Sequence, residues 1–193
     1  MKSMPLVPVL LAMLALGACA GAGHRPAPSP PPNPADAIPD LRAYRLGVGD
    51  RLRIDVYGEG DLSMDALVSP TGQFNYPLLG VITALNRTAQ EIAQDLTTRL
   101  ANGYLKDPDV RVSVVQYRPF YAIGQVQRPG AYPYVVGLTV EKALALAGGL
   151  TTLASTRKIY LLHEDKATSQ RSRAALDTLV LPGDTLMVEE SLF

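Results

Sequence analysis

The chemistry open to this chain is narrow, because its most reactive side chains are few: one cysteine, Cys19, and two histidines, His24 and His163, in 193 residues. A hydrolytic or transfer reaction needs titratable groups drawn together, whereas His24 falls in a proline-rich stretch and His163 at the end of a predicted strand. His163-Glu164-Asp165 sets ligand-type side chains in a row, but a lone histidine beside loop acids is more simply solvated than metal-bound. Glu59, Asp61 and Asp65 are carboxylates of the kind a glycosidase pair uses. Spacing along a chain does not fix the carboxyl separation that reaction requires, and acids near glycine commonly shape turns. No catalytic residue, metal ligand or cofactor is assigned. The thiol is different. Lys2 gives a positive start, Leu6 to Leu16 a proline-interrupted apolar stretch, and the small Gly17-Ala18 lead into Cys19. A peptidase cutting before the cysteine admits only small side chains there, and the thiol is the nucleophile for lipid attachment, so Cys19 is the candidate lipidation residue. Two alternatives stay open: an ordinary secretory leader cut after Ala20, or an uncleaved anchor, which is short and proline-broken for a membrane span.

The elements that follow must position whatever acts beyond that anchor. Hydrophobic residues at 47% and charged residues at 19% suit one or two small globular domains. Lys+Arg 18 against Asp+Glu 18, with no basic run interleaved with aromatics, leaves nothing to neutralise phosphates, so nucleic acid is excluded as a partner. A single cysteine allows no internal disulfide, and stability must come from packing. Residues 1–18 read as a leader and 19–40, rich in proline, as a semi-rigid tether. In 41–117, Leu46 and Val48, then Leu52, Ile54 and Val56, alternate as strands about Gly49-Asp50. Residues 65–69 and 73–76 flank Pro70-Thr71-Gly72 as a hairpin. Thr88-Ala89-Gln90-Glu91 is a capping box for a helix whose Ala89, Ile92, Leu96 and Leu100 face that sheet, stopped by Asn102-Gly103. Val110, Val112 and Val114 then form a strand ending near Tyr117.

In 118–193, residues 121–126 and 132–136 form a hairpin about Arg128-Pro129-Gly130. Thr139 caps a helix with Val140, Ala143, Leu144 and Ala147 on one face, ended by Gly148-Gly149. Strands at 158–162 and 186–188 follow. The fold class expected is α+β, a small αβ unit and then a β-grasp-like unit. Val48-Gly49-Asp50-Arg51-Leu52 is echoed by Pro182-Gly183-Asp184-Thr185-Leu186. Here glycine allows the tight turn and the carboxylate is expected to accept from the amides just after it, so neither Asp50 nor Asp184 need be catalytic.

Leu16-Gly17-Ala18-Cys19 resembles a bacterial lipobox, and Ala20 after the cysteine, by resemblance to enterobacterial sorting, implies the outer membrane over the inner. Tyr44-Arg45-Leu46-Gly47-Val48-Gly49-Asp50-Arg51-Leu52, Val68-Ser69-Pro70-Thr71-Gly72-Gln73-Phe74 and Pro77-Leu78-Leu79-Gly80 resemble the signature of outer-membrane polysaccharide export lipoproteins. Gly124-Gln125-Val126, Arg128-Pro129-Gly130-Ala131-Tyr132, Leu138-Thr139-Val140 and Ala147-Gly148-Gly149-Leu150-Thr151 resemble their usual companion, a soluble-ligand-binding β-grasp (SLBB) domain. Each piece alone is a set of turn and cap residues, but the joint order behind a lipobox is specific. The resemblance implies a lipid-anchored, ring-forming homo-oligomer facing the periplasm. It would carry a capsule or exopolysaccharide cargo with an inner-membrane polysaccharide co-polymerase. Better-known members carry two or more β-grasp units and a C-terminal pore helix, whereas 189–193 is too short to cross a bilayer. The expectation is that this chain docks beneath a separate outer-membrane β-barrel porin, or caps the co-polymerase. Tyr121, Tyr132 and Tyr134 offer rings and hydroxyls suited to glycan contact, although strand tyrosines equally fill a sheet surface, and Trp 0 disfavours a tight saccharide groove. Two other readings stand beside the export scaffold: a periplasmic saccharide-binding module, which predicts a monomer with oligosaccharide affinity, and a glycan-modifying enzyme, which predicts turnover.

Overall fold

The structure is a computed structural model and describes residues 43–163 and 171–191. The leader, Cys19, the 19–40 tether, His24, Glu164, Asp165 and residues 192–193 lie outside the described residues.

In the first module, β1 (Arg51–Val56) alternates exposed and buried positions, which sends Leu52, Ile54 and Val56 into the core. It lies between β2 (Met64–Leu67) and β5 (Val110–Gln116), antiparallel to both. Helix α1 (Ala89–Ala101) buries Ile92, Leu96 and Leu100 in the same core. Its start is fixed by reciprocal bonds, Glu91 N–H to Thr88 Oγ1 at 3.1 Å and Thr88 N–H to Glu91 Oε2 at 2.8 Å. Two expectations fail here. Leu46 is buried but lies in no strand, bonding instead to the backbone of Asn86 and Arg87, because the chain turns at once through Gly47–Asp50 and leaves Val48 exposed. The segments flanking Pro70-Thr71-Gly72 do not pair with each other. The turn forms, with Gly72 N–H to Ser69 O at 2.8 Å, yet β2 pairs back on β1, and β3 (Gln73–Tyr76) pairs with β4 (Gly80–Thr83), a strand not foreseen. Phe74, Tyr76 and Ile82 turn this separate hairpin onto the core, and the Tyr76 hydroxyl donates to Leu62 O at 2.8 Å. Burial pushes the Tyr76 phenol up.

The second module holds β6 (Phe120–Gly124), β7 (Gly130–Tyr132), α2 (Val140–Leu146), β8 (Ala154–Leu162), β9 (Ser172–Arg173) and β10 (Thr185–Glu190). The sheet order is β7-β6-β10-β8-β9, with β10 parallel to β6 and antiparallel to β8. A hairpin, a helix and a last strand inserted beside the first make the β-grasp arrangement. The return strand is shorter and earlier than 132–136: Gly130 pairs with Ala122, and Tyr134 to Val136 lie beyond the strand. Val140, Ala143 and Leu144 of α2 pack with Phe120, Ile159, Leu161 and Leu186. The helix ends with Gly149 N–H to Leu144 O at 2.8 Å and Gly148 N–H to Ala145 O at 3.0 Å, both glycines at positive φ. Gly124 meets the tightest approach in the sheet. It has φ +84°, and any Cβ there would strike the Val188 carbonyl oxygen of the parallel strand β10.

Candidate functional site

Only residues 117–119 separate β5 from β6, and the buried charge of the described residues gathers around them. On one side, Gly47–Asp50 is a turn with Gly49 at φ +92° and Asp50 N–H to Gly47 O at 3.3 Å. The Asp50 carboxylate, 0% exposed, accepts from Gly47 N–H at 2.8 Å, Arg118 N–H at 2.7 Å and the Tyr44 hydroxyl at 2.8 Å. The buried Arg118 guanidinium stands 3.8 Å from Asp50 Oδ2, donates to the Tyr44 hydroxyl at 3.2 Å and lies 5.8 Å from the Tyr44 ring centre. It also covers Gly47, where any Cβ would collide with it. The sequence gives no pairwise sign of this; glycine at 47 is demanded by a side chain 71 positions away.

On the other side the motif repeats. Leu181–Asp184 is a turn with Gly183 at φ +86° and Asp184 N–H to Leu181 O at 3.1 Å. Pro182 presets its second position. The buried Asp184 carboxylate accepts Leu181 N–H at 2.8 Å and lies 2.8 Å from His163 Nδ1. The backbone then closes on the connector from this side too, Gly183 N–H to Pro119 O at 3.2 Å and Tyr121 N–H to Asp184 O at 2.8 Å. In both turns the side chain takes the amide three residues before the aspartate, not those just after it as the sequence implied. The reason is that positive φ at the glycine folds that earlier amide back toward the carboxylate.

Aromatic rings join the two sides. Tyr44 and Tyr117 meet edge to face at 5.1 Å, and Tyr117 and Tyr134 at 5.5 Å. Burial, then the Asp50 charge, raises the Tyr117 phenol. Burial, then Tyr117, raises that of Tyr134. Proton transfer needs reach to a substrate, and here the lone pairs of the buried Asp50 carboxylate are taken by three donors. Among the described residues no group of three His, Cys, Asp or Glu side chains could hold a metal. His163, read from sequence beside Glu164 and Asp165, faces Asp184 instead.

The remaining named residues disperse. Gly72 sits at φ +74° against Leu85, Pro129 lies in the β6–β7 loop, and Gly130 belongs to β7 without positive φ. Tyr121 is exposed, and Tyr132 is half-buried, stacked 5.7 Å from Phe120 with its hydroxyl on Arg128 O at 2.5 Å. Tyr134, 8% exposed, is removed from the set of glycan contacts, since its ring is packed in the core against Tyr117 and offers no face to a sugar.

Residues 39–115 match the polysaccharide biosynthesis/export protein family, and residues 120–171 match the SLBB domain. The Arg118 connector falls between the two matches, and β10, the central strand of the second sheet, lies past the second. The exopolysaccharide production protein ExoF of Rhizobium meliloti is 40% identical over 119 residues, 55% of this chain and 28% of that protein. The EPS I polysaccharide export outer membrane protein EpsA of Ralstonia nicotianae is 28% identical over 181 residues, 76% of this chain and 47% of that protein. Its counterpart from Ralstonia solanacearum is 31% identical over 133 residues, 55% of this chain and 35% of that protein. The chain spans about half the length of these relatives, or less.

Proposed function

We propose, from the premise that this chain joins a polysaccharide biosynthesis/export domain to an SLBB domain, that it is a non-catalytic component of a polysaccharide export conduit in the cell envelope. The observation that carries this reading is the junction. Buried Asp50 and Arg118 tie the first domain to the connector, and the turn that holds buried Asp184 reaches the same connector through Gly183 N–H to Pro119 O, which suits a rigid strut more than a reaction centre. The relatives' descriptions as exopolysaccharide production and polysaccharide export proteins support the cargo. No helix among the described residues is long and apolar enough to cross a membrane. The small residues Gly17-Ala18 before Cys19 support attachment through a lipid on that thiol, with 19–40 as the tether, 41–117 and 118–193 as the working domains, and an outer-membrane, periplasm-facing location. Copies of the chain form a ring that meets an inner-membrane co-polymerase on one side and an outer-membrane β-barrel on the other.

Deleting the gene in its host and staining surface glycan tests the reading: loss of glycan, restored by the native chain and not by Cys19→Ser, is expected. Surface glycan unchanged by deletion would remove the export role. Cross-linking in intact cells should recover homo-oligomers together with a co-polymerase or a barrel; a monomer that captures neither would favour the saccharide-binding module.

A further inference from the structure

The second sheet turns Ile159, Leu161, Leu186 and Val188 toward α2, so the alternate residues of the same strands point the opposite way. On that far face Lys158 and Tyr160 stand two residues apart on β8, and Arg173 of β9 is the cross-strand partner of Tyr160, which places the three side chains together. With Arg157 and the hydroxyls of Ser155, Thr156 and Ser191, they line an open groove of about 620 Å³. From Ser155 to Tyr160 the strand runs about 16 Å, long enough for several linked sugars.

The charges of this groove are uncommitted. Arg53, Arg87, Arg99, Arg111 and Arg171 each bind an aspartate or glutamate. Arg157, Lys158 and Arg173 have no carboxylate partner among the described residues. The chain as a whole is neutral, 18 basic against 18 acidic residues, so three unmatched cations in one groove are not the overflow of a basic protein. Tyr160 is held in place by Arg171, whose guanidinium lies 4.5 Å over its ring and is itself tied to Glu189 and, at 3.3 Å, to the Met187 sulfur. The wall of the groove is therefore set before anything binds.

We infer that this groove holds a carboxylate-bearing stretch of the exported glycan, which makes the cargo an acidic polysaccharide; this rests on the export reading above. Guanidinium pairs with carboxylate in a planar fork, and serine and threonine hydroxyls match the hydroxyls of a sugar. Beyond the Tyr160 ring, no large apolar side chain lines the groove, whereas a peptide would need an apolar anchor pocket. Exposed ion pairs are individually weak and salt-sensitive, a property that lets a long polymer move on.

The test titrates the full chain in neutral detergent with oligogalacturonate, with the same oligomer fully methyl-esterified, and with inorganic polyphosphate. Oligogalacturonate is expected to bind, with affinity falling as salt rises, and the neutral ester and polyphosphate to bind roughly tenfold more weakly or worse. An Arg157→Gln, Lys158→Gln, Arg173→Gln triple variant with unchanged circular dichroism and melting should lose a similar factor. No uronate binding, equal binding of the ester or of polyphosphate, or an unaffected triple variant overturns the inference. The deletion experiment separates the two claims. Uronate unbound while deletion still abolishes surface glycan defeats only the groove, and glycan intact after deletion defeats the export reading whatever the titration gives.

Discussion

Asp50 carries its charge where water cannot reach it, so the donors around it are its whole solvation. Removing one member of a buried ion pair leaves the other uncompensated, and Asp50→Ala should cost about 3–5 kcal/mol in chemical denaturation. Replacing both charges together, Asp50→Leu with Arg118→Met, should recover much of that, because a buried pair is weakly stabilising against an apolar one. The phenols nearby give a second readout. Tyr117 and Tyr134 are raised above the ordinary value near 10, so at high pH the folded chain binds more protons than the unfolded one. Stability is therefore unaffected below the unfolded value and falls as pH climbs through it toward the folded value. Alkaline difference spectra should show these two phenols ionising above the ordinary range, and Tyr117→Phe should flatten the alkaline loss of stability.

Helix α1 is tied down by more than its apolar stripe. Asp95 receives Arg87 at 3.0 Å and Arg99 at 2.8 Å. Burial alone would raise its carboxyl, but these two guanidinium groups outweigh that and bring it below the usual range. A depressed carboxylate stabilises the fold above its unfolded value near 4, and that contribution is lost as pH falls through the lower folded value. Asp95→Asn should thus cost about 1 kcal/mol at neutral pH, a difference that closes in acid denaturation curves below pH ~4. In the second sheet the sensitive position is Gly124, where positive φ and the Val188 carbonyl leave no room for a methyl group. Gly124→Ala should destabilise by more than about 1 kcal/mol, whereas Gly130→Ala, which meets nothing within 4 Å, should melt within a degree or two of the native chain.

For the molecule as a whole, the decisive feature is that two αβ units share one short connector clasped on both sides by glycine-aspartate turns. Rigid coupling predicts a single cooperative unfolding transition for the native chain. Arg118→Met cuts the guanidinium bonds while keeping the backbone amide, and should split unfolding into two steps and open residues 117–119 to limited proteolysis. One transition with an uncut connector in that variant would mean that the connector's backbone bonds and ring packing couple the units without the guanidinium.

Much of this was legible in the residues. Helix caps, helix stops and alternation are local, so the two helices, β1, β5, β6, β8 and β10 could be placed from short-range pattern, whereas β7 falls earlier than expected and β9 was not read; the order of turn motifs pointed to polysaccharide export. Pairing partners were not legible. Whether the strand after Gly72 returns to β2 or folds against β4 depends on which surface buries Phe74, Tyr76 and Ile82, a long-range choice. The twin aspartates were visible as an echo, but their role was not. Gly47 makes room for Arg118, Asp50 fixes the backbone of residue 118, and Asp184 meets His163, and each of these contacts joins residues whose distance apart along the chain only the folded backbone sets. Sequence determined both helices and most of the strands in their order; tertiary structure alone decided where the charges went, because a carboxylate leaves water only where the fold has already gathered its donors.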